Sequence, residues 1–410
     1  MHALLKGLPF ASDSPPNHAA LGQSALTDLP LPAAILRRDA LEHNLRWMRA
    51  FVDARDVRLA PHAKTTMSPQ LIRMQLDHGA WGVTVATPHQ AEACLRMGVR
   101  RLIIANQVVG RYAQDALYRW LGDHADLELY CLVDSLALVE QLQAAFARAV
   151  GERRLRVLLE LGYPGGRSGC RTHAEALSVA AAVRAAPGMR LAGVEGFEGL
   201  LVFDEAQGEQ APARIREFAD ALVQLFAACR DGGLFEVDDP IVTAGGSAYF
   251  DIVLDALSAA GARLVSRSGC YVTHDSGMYA RNQPHVLART GLGEGLRAAL
   301  ELWAHVQSVP EPGRAILNFG KRDVGSDAGL PVPIKHFRPA SGLTLLGEGF
   351  TITGLNDQHA YLALPAERRL EVGDAVGLGV SHPCTTFDKW KALAIVDEAY
   401  RVTGVVDTLF

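Results

Sequence analysis

Val57-Arg-Leu-Ala-Pro-His-Ala-Lys-Thr-Thr66 is the first of eight short apolar runs between residues 57 and 268. It reads as a buried strand that ends in polar residues. The others are Trp81–Thr87, Arg101–Asn106, Leu127–Asp134, Arg156–Gly162, Leu191–Phe197, Pro240–Gly245 and Ala262–Ser268. Helix signals fill the gaps: Ser68-Pro69 opens one segment, Pro88-His-Gln-Ala-Glu92 another, and Ser135 stands where it caps a third. Strand–helix alternation argues for a parallel sheet, and eight units over roughly 250 residues is the size of a closed TIM-type (β/α)8 barrel. An open doubly wound sheet would alternate in the same way, so the count decides. The expected fold class is α/β, with the barrel over residues 30–290.

Beyond about residue 290 the texture changes. Leu302–Val309, Ala315–Phe319, Leu343–Thr353, Tyr361–Leu364, Ala375–Val380 and Ala392–Val396 read as β runs with turns such as Glu311-Pro-Gly313 between them. No long helical stretch separates them, so residues 291–410 are expected to form a β domain. Residues 1–29, with Pro and Ser clustered over Pro9–Pro16, either pack on it or stay loose.

Within the first run, strand alternation puts Ala60, His62 and Lys64 on one side, with Lys64 at the C-terminal edge where barrels build active sites. A partly desolvated amine there can lose its proton and form an imine with a carbonyl. The plain alternative is a surface lysine just past a strand. Thr243-Ala-Gly-Gly-Ser247 follows the seventh run and leads into a helical pattern over Tyr249–Ala260. Gly245 and Gly246 let backbone approach an anion, and Ser247 can cap the helix and donate to a phosphate. His382 and Cys384 are two apart, so in an extended segment their side chains point the same way. Imidazole and thiolate suit a first-row metal, Zn²⁺ above all, with Mn²⁺ the other candidate. His-x-Cys alone is a weak signal and usually structural.

Pro61-His-Ala-Lys-Thr65, preceded by Leu31-Pro-Ala-Ala-Ile-Leu-Arg-Arg-Asp-Ala-Leu-Glu-His-Asn44, resembles the start of the D-threonine aldolase and D-serine dehydratase family. The resemblance runs from about residue 29 to the end. It implies an alanine-racemase-like, fold type III enzyme that uses pyridoxal 5′-phosphate, with Lys64 as the lysine that carries the cofactor and His62 beside it. Many aldolase members continue Lys-Thr-His-Lys, whereas this chain has Lys64-Thr65-Thr66-Met67, closer to the bacterial group of amino-acid deaminases. By the same resemblance, Thr243, Gly245, Gly246 and Ser247 form a first phosphate loop, and Ser268-Gly-Cys-Tyr271 a second, contacting through Gly269 and Tyr271. Gly165-Gly166-Arg167-Ser168-Gly169 resembles the family's Gly-x-Arg-x-Gly, which implies Arg167 at the cofactor's phenolic oxygen. Arg267 matches an arginine that faces the pyridine nitrogen in alanine racemases, though family members vary there. The late His382-x-Cys384 matches the metal pair of the dehydratases, where some aldolases have His-x-Asp. Leu355-Asn-Asp-Gln-His359 is similar to the family's acidic residue–His pair, which implies a catalytic His359. Gly325-Ser-Asp-Ala-Gly-Leu-Pro331 is family-typical but carries no assigned chemistry.

The implied reaction is metal-assisted dehydration of a D-3-hydroxy amino acid such as D-serine or D-threonine, giving a 2-oxo acid and ammonia. A D-threonine aldolase, cleaving to glycine and an aldehyde, uses the same residues. A non-catalytic cofactor-binding protein resembles the barrel alone and leaves the β domain unexplained. The expected partner is a small D-amino acid, and a homodimer is implied by analogy only. Over 410 residues, 49% apolar and 21% charged composition fits a globular chain with a sizeable core, and a net charge of −5 gives no support for nucleic-acid binding. No apolar run approaches a membrane span, and Met1-His-Ala-Leu-Leu-Lys-Gly7 lacks a secretion-signal layout. Six cysteines without paired spacing read as reduced thiols, so a cytoplasmic location is expected.

Overall fold

A computed structural model describes residues 4–9, 19–149, 151–201, 210–246 and 248–410. The first strand, β1 (Ala33–Arg37), finds its partners only far along the chain. Eight parallel strands follow: β2 (Val57–Leu59), β3 (Val83–Val85), β4 (Arg101–Gln107), β5 (Glu128–Val133), β6 (Leu155–Leu161), β7 (Met189–Gly196), β8 (Ile241–Ala244) and β9 (Arg263–Ser266). They lie side by side in the order β3-β4-β5-β6-β7-β8-β9-β2. The two end strands then meet. The Trp81 N–H donates to the Leu59 carbonyl at 2.7 Å, the Thr84 N–H to Pro61 at 3.0 Å, and His62 bridges Thr84 in parallel.

All eight strands belong to one compact unit, Arg49–Lys64 with Gln75–Gly269. Ala60, Ile103, Leu132, Leu158, Ala192, Ile241 and Val265 fill a core cluster within it. Each large aliphatic side chain so buried contributes about 1.5–3 kcal/mol. Parallel strands covered on both sides need near-continuous apolar sequence, and Leu155–Leu161 is buried at every position but Arg156. Between strands the helices are capped locally. Thr87 accepts from the Gln90 N–H at the start of Pro88–Arg96, and Thr172 with Glu175 forms a capping box on His173–Ala185. Ser135 occupies the N-cap of Leu136–Arg148, but its side chain makes no cap hydrogen bond.

The second unit comprises Met1–Met48, Thr65–Met74 and Cys270–Phe410. Its strands are β10 (Leu300–Glu311), β11 (Arg314–Leu317), β12 (Val332–Arg338), β13 (Gly342–Leu345), β14 (Thr351–Leu355), β15 (Ala360–Ala363), β16 (Ala375–Gly379), β17 (Ala392–Val396) and β18 (Val402–Asp407). The main path is β13-β12-β16-β10-β1-β17-β18, and β11, β15 and β14 branch from the long β10. β1 thus sits between β10, antiparallel, and β17, parallel, so residues 33–37 complete this sheet rather than the barrel. β12 and β18 had no counterpart in the sequence reading: Val332-Pro-Ile-Lys-His-Phe-Arg338 is too polar and too exposed to register as an apolar run. In the core of this unit the buried Glu301 carboxylate receives Trp303 Nε1 and the Tyr400 hydroxyl, each at 2.9 Å, and Lys335 Nζ at 2.5 Å. Those donors offset the cost of burying its charge. Among the described residues no helix is long and apolar enough to cross a membrane.

Candidate active site

The chain leaves β2 after Leu59, and Lys64 lies in a 3-10 turn, Ala63–Thr65, not on the strand itself. Strand alternation therefore does not carry His62 and Lys64 to a common face, because the extended pairing ends at the His62–Thr84 bridge and the 3-10 turn begins at Ala63. Lys64 is exposed and His62 half-buried. Burial, then the positive charges of Lys64, Arg267 and Arg167, pushes the His62 imidazole well below its ordinary range, so the ring is neutral. Its Nδ1 is buried without a hydrogen-bond partner among the described residues. An unpaired buried nitrogen costs about 1–3 kcal/mol, which points to a group not belonging to the chain.

The loops after β8 and β9 are tied to each other. Gly245 adopts φ +80°, open to glycine at little cost. Its carbonyl accepts the Ser266 hydroxyl at 3.1 Å and the Ser268 hydroxyl at 2.8 Å. Its N–H donates to Glu198 Oε2 at 3.2 Å, so this amide is already aimed at a carboxylate oxygen. Thr243 is committed differently from expectation: its hydroxyl donates to the Val265 carbonyl and serves the sheet. Gly246 has room around its Cα, a Cβ there meeting nothing nearer than Phe197 at 3.7 Å. Ser247 lies outside the described residues. Gly269 is glycine for a packing reason, since a Cβ would collide with the His62 carbonyl oxygen and lie 2.9 Å from His62 N and Cβ. Arg267 pairs with the Glu195 carboxylate and donates to the Gly196 carbonyl at 3.0 Å, all three buried.

After β6 the glycine-rich loop presents Arg167, exposed, with its guanidinium 5.2 Å from the Phe197 ring centre. Arg171 braces the loop by donating to the carbonyls of Gly166, Ser168 and Gly169. Beneath it the buried Glu160 accepts the Ser168 hydroxyl at 2.7 Å and the Gln107 amide. Burial, followed by the neighbouring Glu195 carboxylate, pushes Glu160 up to about 7 despite those two donors. Sequence reasoning passed over Glu160, although a lone acid in Leu158-Leu-Glu-Leu161 is itself a signal for a buried functional carboxylate.

In the second unit, Cys384 opens a short helix, Cys384–Phe387, so the segment is not extended and the two-residue alternation does not apply. Its thiol is 3.4 Å from Cys270 Sγ and donates to Thr65 Oγ1 at 3.4 Å. Hydrogen bonding with Cys270, and then with His382, holds the Cys384 thiol well below its usual range against the effect of burial. His382 is raised to about 9, first by its hydrogen bond with Cys384 and, after an opposing burial effect, by Asp327. Asp327 Oδ2 lies 2.6 Å from His382 Nδ1, while Oδ1 receives the Thr385 hydroxyl at 2.7 Å. Asp327 belongs to the 325–331 run to which no chemistry was assigned. A carboxylate on one ring nitrogen leaves the other as the donor, the usual arrangement behind a metal-binding histidine. Among the described residues no three His, Cys, Asp or Glu side chains converge on one point, so this is a two-donor pair.

Tyr271 is buried in the 3-10 turn Cys270–Val272. His359 is exposed in the turn joining β14 to β15, where its carbonyl accepts the Asn356 N–H.

The family model "Alanine racemase, N-terminal domain" matches residues 36–248, and "Putative serine dehydratase domain" matches 299–396. The chain is 31% identical to D-threo-3-hydroxyaspartate dehydratase of Delftia sp. (strain HT23), covering 91% of this chain and 96% of that one. It is 28% identical to D-threonine aldolase of Arthrobacter sp., covering 94% and 92%. The solved D-threonine aldolase from Filomicrobium marinum superposes with a TM-score of 0.78 at 27% identity, over 95% of this chain and 97% of that one.

Proposed function

The chain belongs to the family of the alanine racemase N-terminal domain, with a serine-dehydratase-type domain behind it, and from that premise we propose a pyridoxal-phosphate-dependent lyase that dehydrates D-3-hydroxy amino acids. The observation that carries the dehydratase reading is the donor pair of His382 and Cys384, with Asp327 already on His382 Nδ1. A pair so prepared suits Zn²⁺. In keeping with it, a D-threo-3-hydroxyaspartate dehydratase has been solved as a cysteine-to-alanine variant in a metal-free form.

The residues of the barrel unit fit the cofactor. His62 offers a neutral ring with an unpartnered buried nitrogen, Arg167 an exposed guanidinium, and Gly245 an amide aimed at an anionic oxygen. Lys64 would carry it, and the loops at 245–246 and 268–269 would receive its phosphate, with Glu198 giving up the Gly245 amide. When bound, pyridoxal phosphate supplies an electron sink that weakens the bonds at the substrate's Cα. A metal held by His382 and Cys384 would supply a Lewis acid for the β-hydroxyl. The Lys64 amine takes the Cα proton and is the general base. Arg167 stabilises negative charge on oxygen by charge-assisted hydrogen bonding. Asp327 holds the His382 ring turned through Nδ1, so that Nε2 is the nitrogen a metal would take by displacing its proton. Hydroxide leaves poorly at neutral pH without such help.

Incubation with D-serine, D-threonine and D-threo-3-hydroxyaspartate, with and without chelator, tests this. A 2-oxo acid and ammonia, lost on chelation, are expected. Glycine and an aldehyde instead would assign the chain to the aldolase reaction, the reading favoured by the likeness to the two D-threonine aldolases.

A further inference from the structure

The six cysteines divide sharply. Cys94, Cys131, Cys170 and Cys229 are buried, whereas Cys270 and Cys384 are partly exposed. Those two are 114 residues apart in sequence, and their Sγ atoms lie 3.4 Å from each other. Thr65 Oγ1 touches both, at 3.6 Å from Cys270 and 3.4 Å from Cys384. Cys270 has no part in the chemistry derived above, yet it stands against the one sulfur assigned to the metal.

We propose that Cys270 and Cys384 form a reversible disulfide, and that this oxidised state and metal binding exclude each other. The second clause rests on the metal reading given above; the first does not. A disulfide needs its sulfurs about 2.05 Å apart, so side-chain rotation must close roughly 1.4 Å. The oxidant is a peroxide. One thiol sulfur attacks the O–O bond and becomes a sulfenic acid as water leaves. The second sulfur then displaces the sulfenic oxygen, which departs as a second water carrying the remaining thiol proton. Two thiols and one hydrogen peroxide give one disulfide and two waters, the sulfur pair losing the two electrons that the O–O bond gains. A disulfide sulfur is no longer a thiolate ligand, so the metal loses its only sulfur donor.

The test uses the full-length protein, stripped with chelator and treated with a small excess of hydrogen peroxide. Thiols are then blocked, and the protein is digested without reductant and mass-analysed. A peptide joining Cys270 to Cys384 that disappears with dithiothreitol is expected, with the four buried cysteines still alkylated. Cys270→Ser must lack that peptide. No cross-link, or overoxidised Cys384 beside a free Cys270, overturns the disulfide. In a parallel arm, Zn²⁺ at about ten times its dissociation constant should slow cross-linking about tenfold. An undiminished rate would keep the disulfide but remove Cys384 as a metal ligand.

Discussion

The loops at the end of the barrel strands and the Asp327–His382–Cys384 cluster are built on opposite principles. In the first, backbone is the working part and side chains hold it: Ser266 and Ser268 grip the Gly245 carbonyl, and Gly269 is glycine because His62 leaves no space. In the second, the side chains are the proposed metal donors and the backbone only brings them into reach, through a short helix and a loop anchored where the Gly325 N–H donates to Thr386 Oγ1. The first kind of site should fail when an atom is added. The second should fail when one is exchanged.

Replacing the side chain of Lys64, the proposed cofactor anchor, gives the largest expected effect. Lys64→Ala should eliminate the visible absorbance of the cofactor-loaded protein and reduce kcat by about 10³-fold or more, read by spectrum and product assay. Retained absorbance would place the anchor elsewhere. Gly269→Ala adds one methyl against His62 and should cost about 2–3 kcal/mol in thermal or urea unfolding, with weaker cofactor retention. A neutral result would mean the loop shifts freely. Asp327→Asn should weaken metal binding about 10–100-fold, while leaving the visible band intact. Cys384→Ala should lose metal and activity together.

The smallest effect concerns Glu160. Its folded-state value of about 7 lies above the ordinary carboxyl value, so the folded protein holds this proton more tightly than the unfolded chain. Its contribution to stability is therefore greatest below about pH 4.5 and declines as pH rises to about 7. The loss is on the order of 1–3 kcal/mol. Glu160→Gln should flatten that slope, seen as a smaller fall in unfolding midpoint between about pH 5 and 8. An unchanged slope would remove Glu160 as its cause.

Hydrophobic periodicity carried the architecture. Eight apolar runs became eight parallel strands, because strands buried on both faces must be apolar throughout and local sequence records that demand. The membership of β1 in the other sheet was invisible, since pairing with β10 and β17 is a contact across hundreds of residues that a short Ala-Ala-Ile-Leu run does not encode. Motifs with fixed chain spacing, around Lys64, Arg167, Gly245 and His382-x-Cys384, could be read directly. What only the tertiary structure decided were the partners: Glu198 on the Gly245 amide, Asp327 on His382, and Cys270 against Cys384. Hydrogen bonds and thiol contacts act over a few ångströms of space, whereas sequence reports distance along the chain. The chain alone could therefore nominate candidate residues but not the neighbours that pack against them.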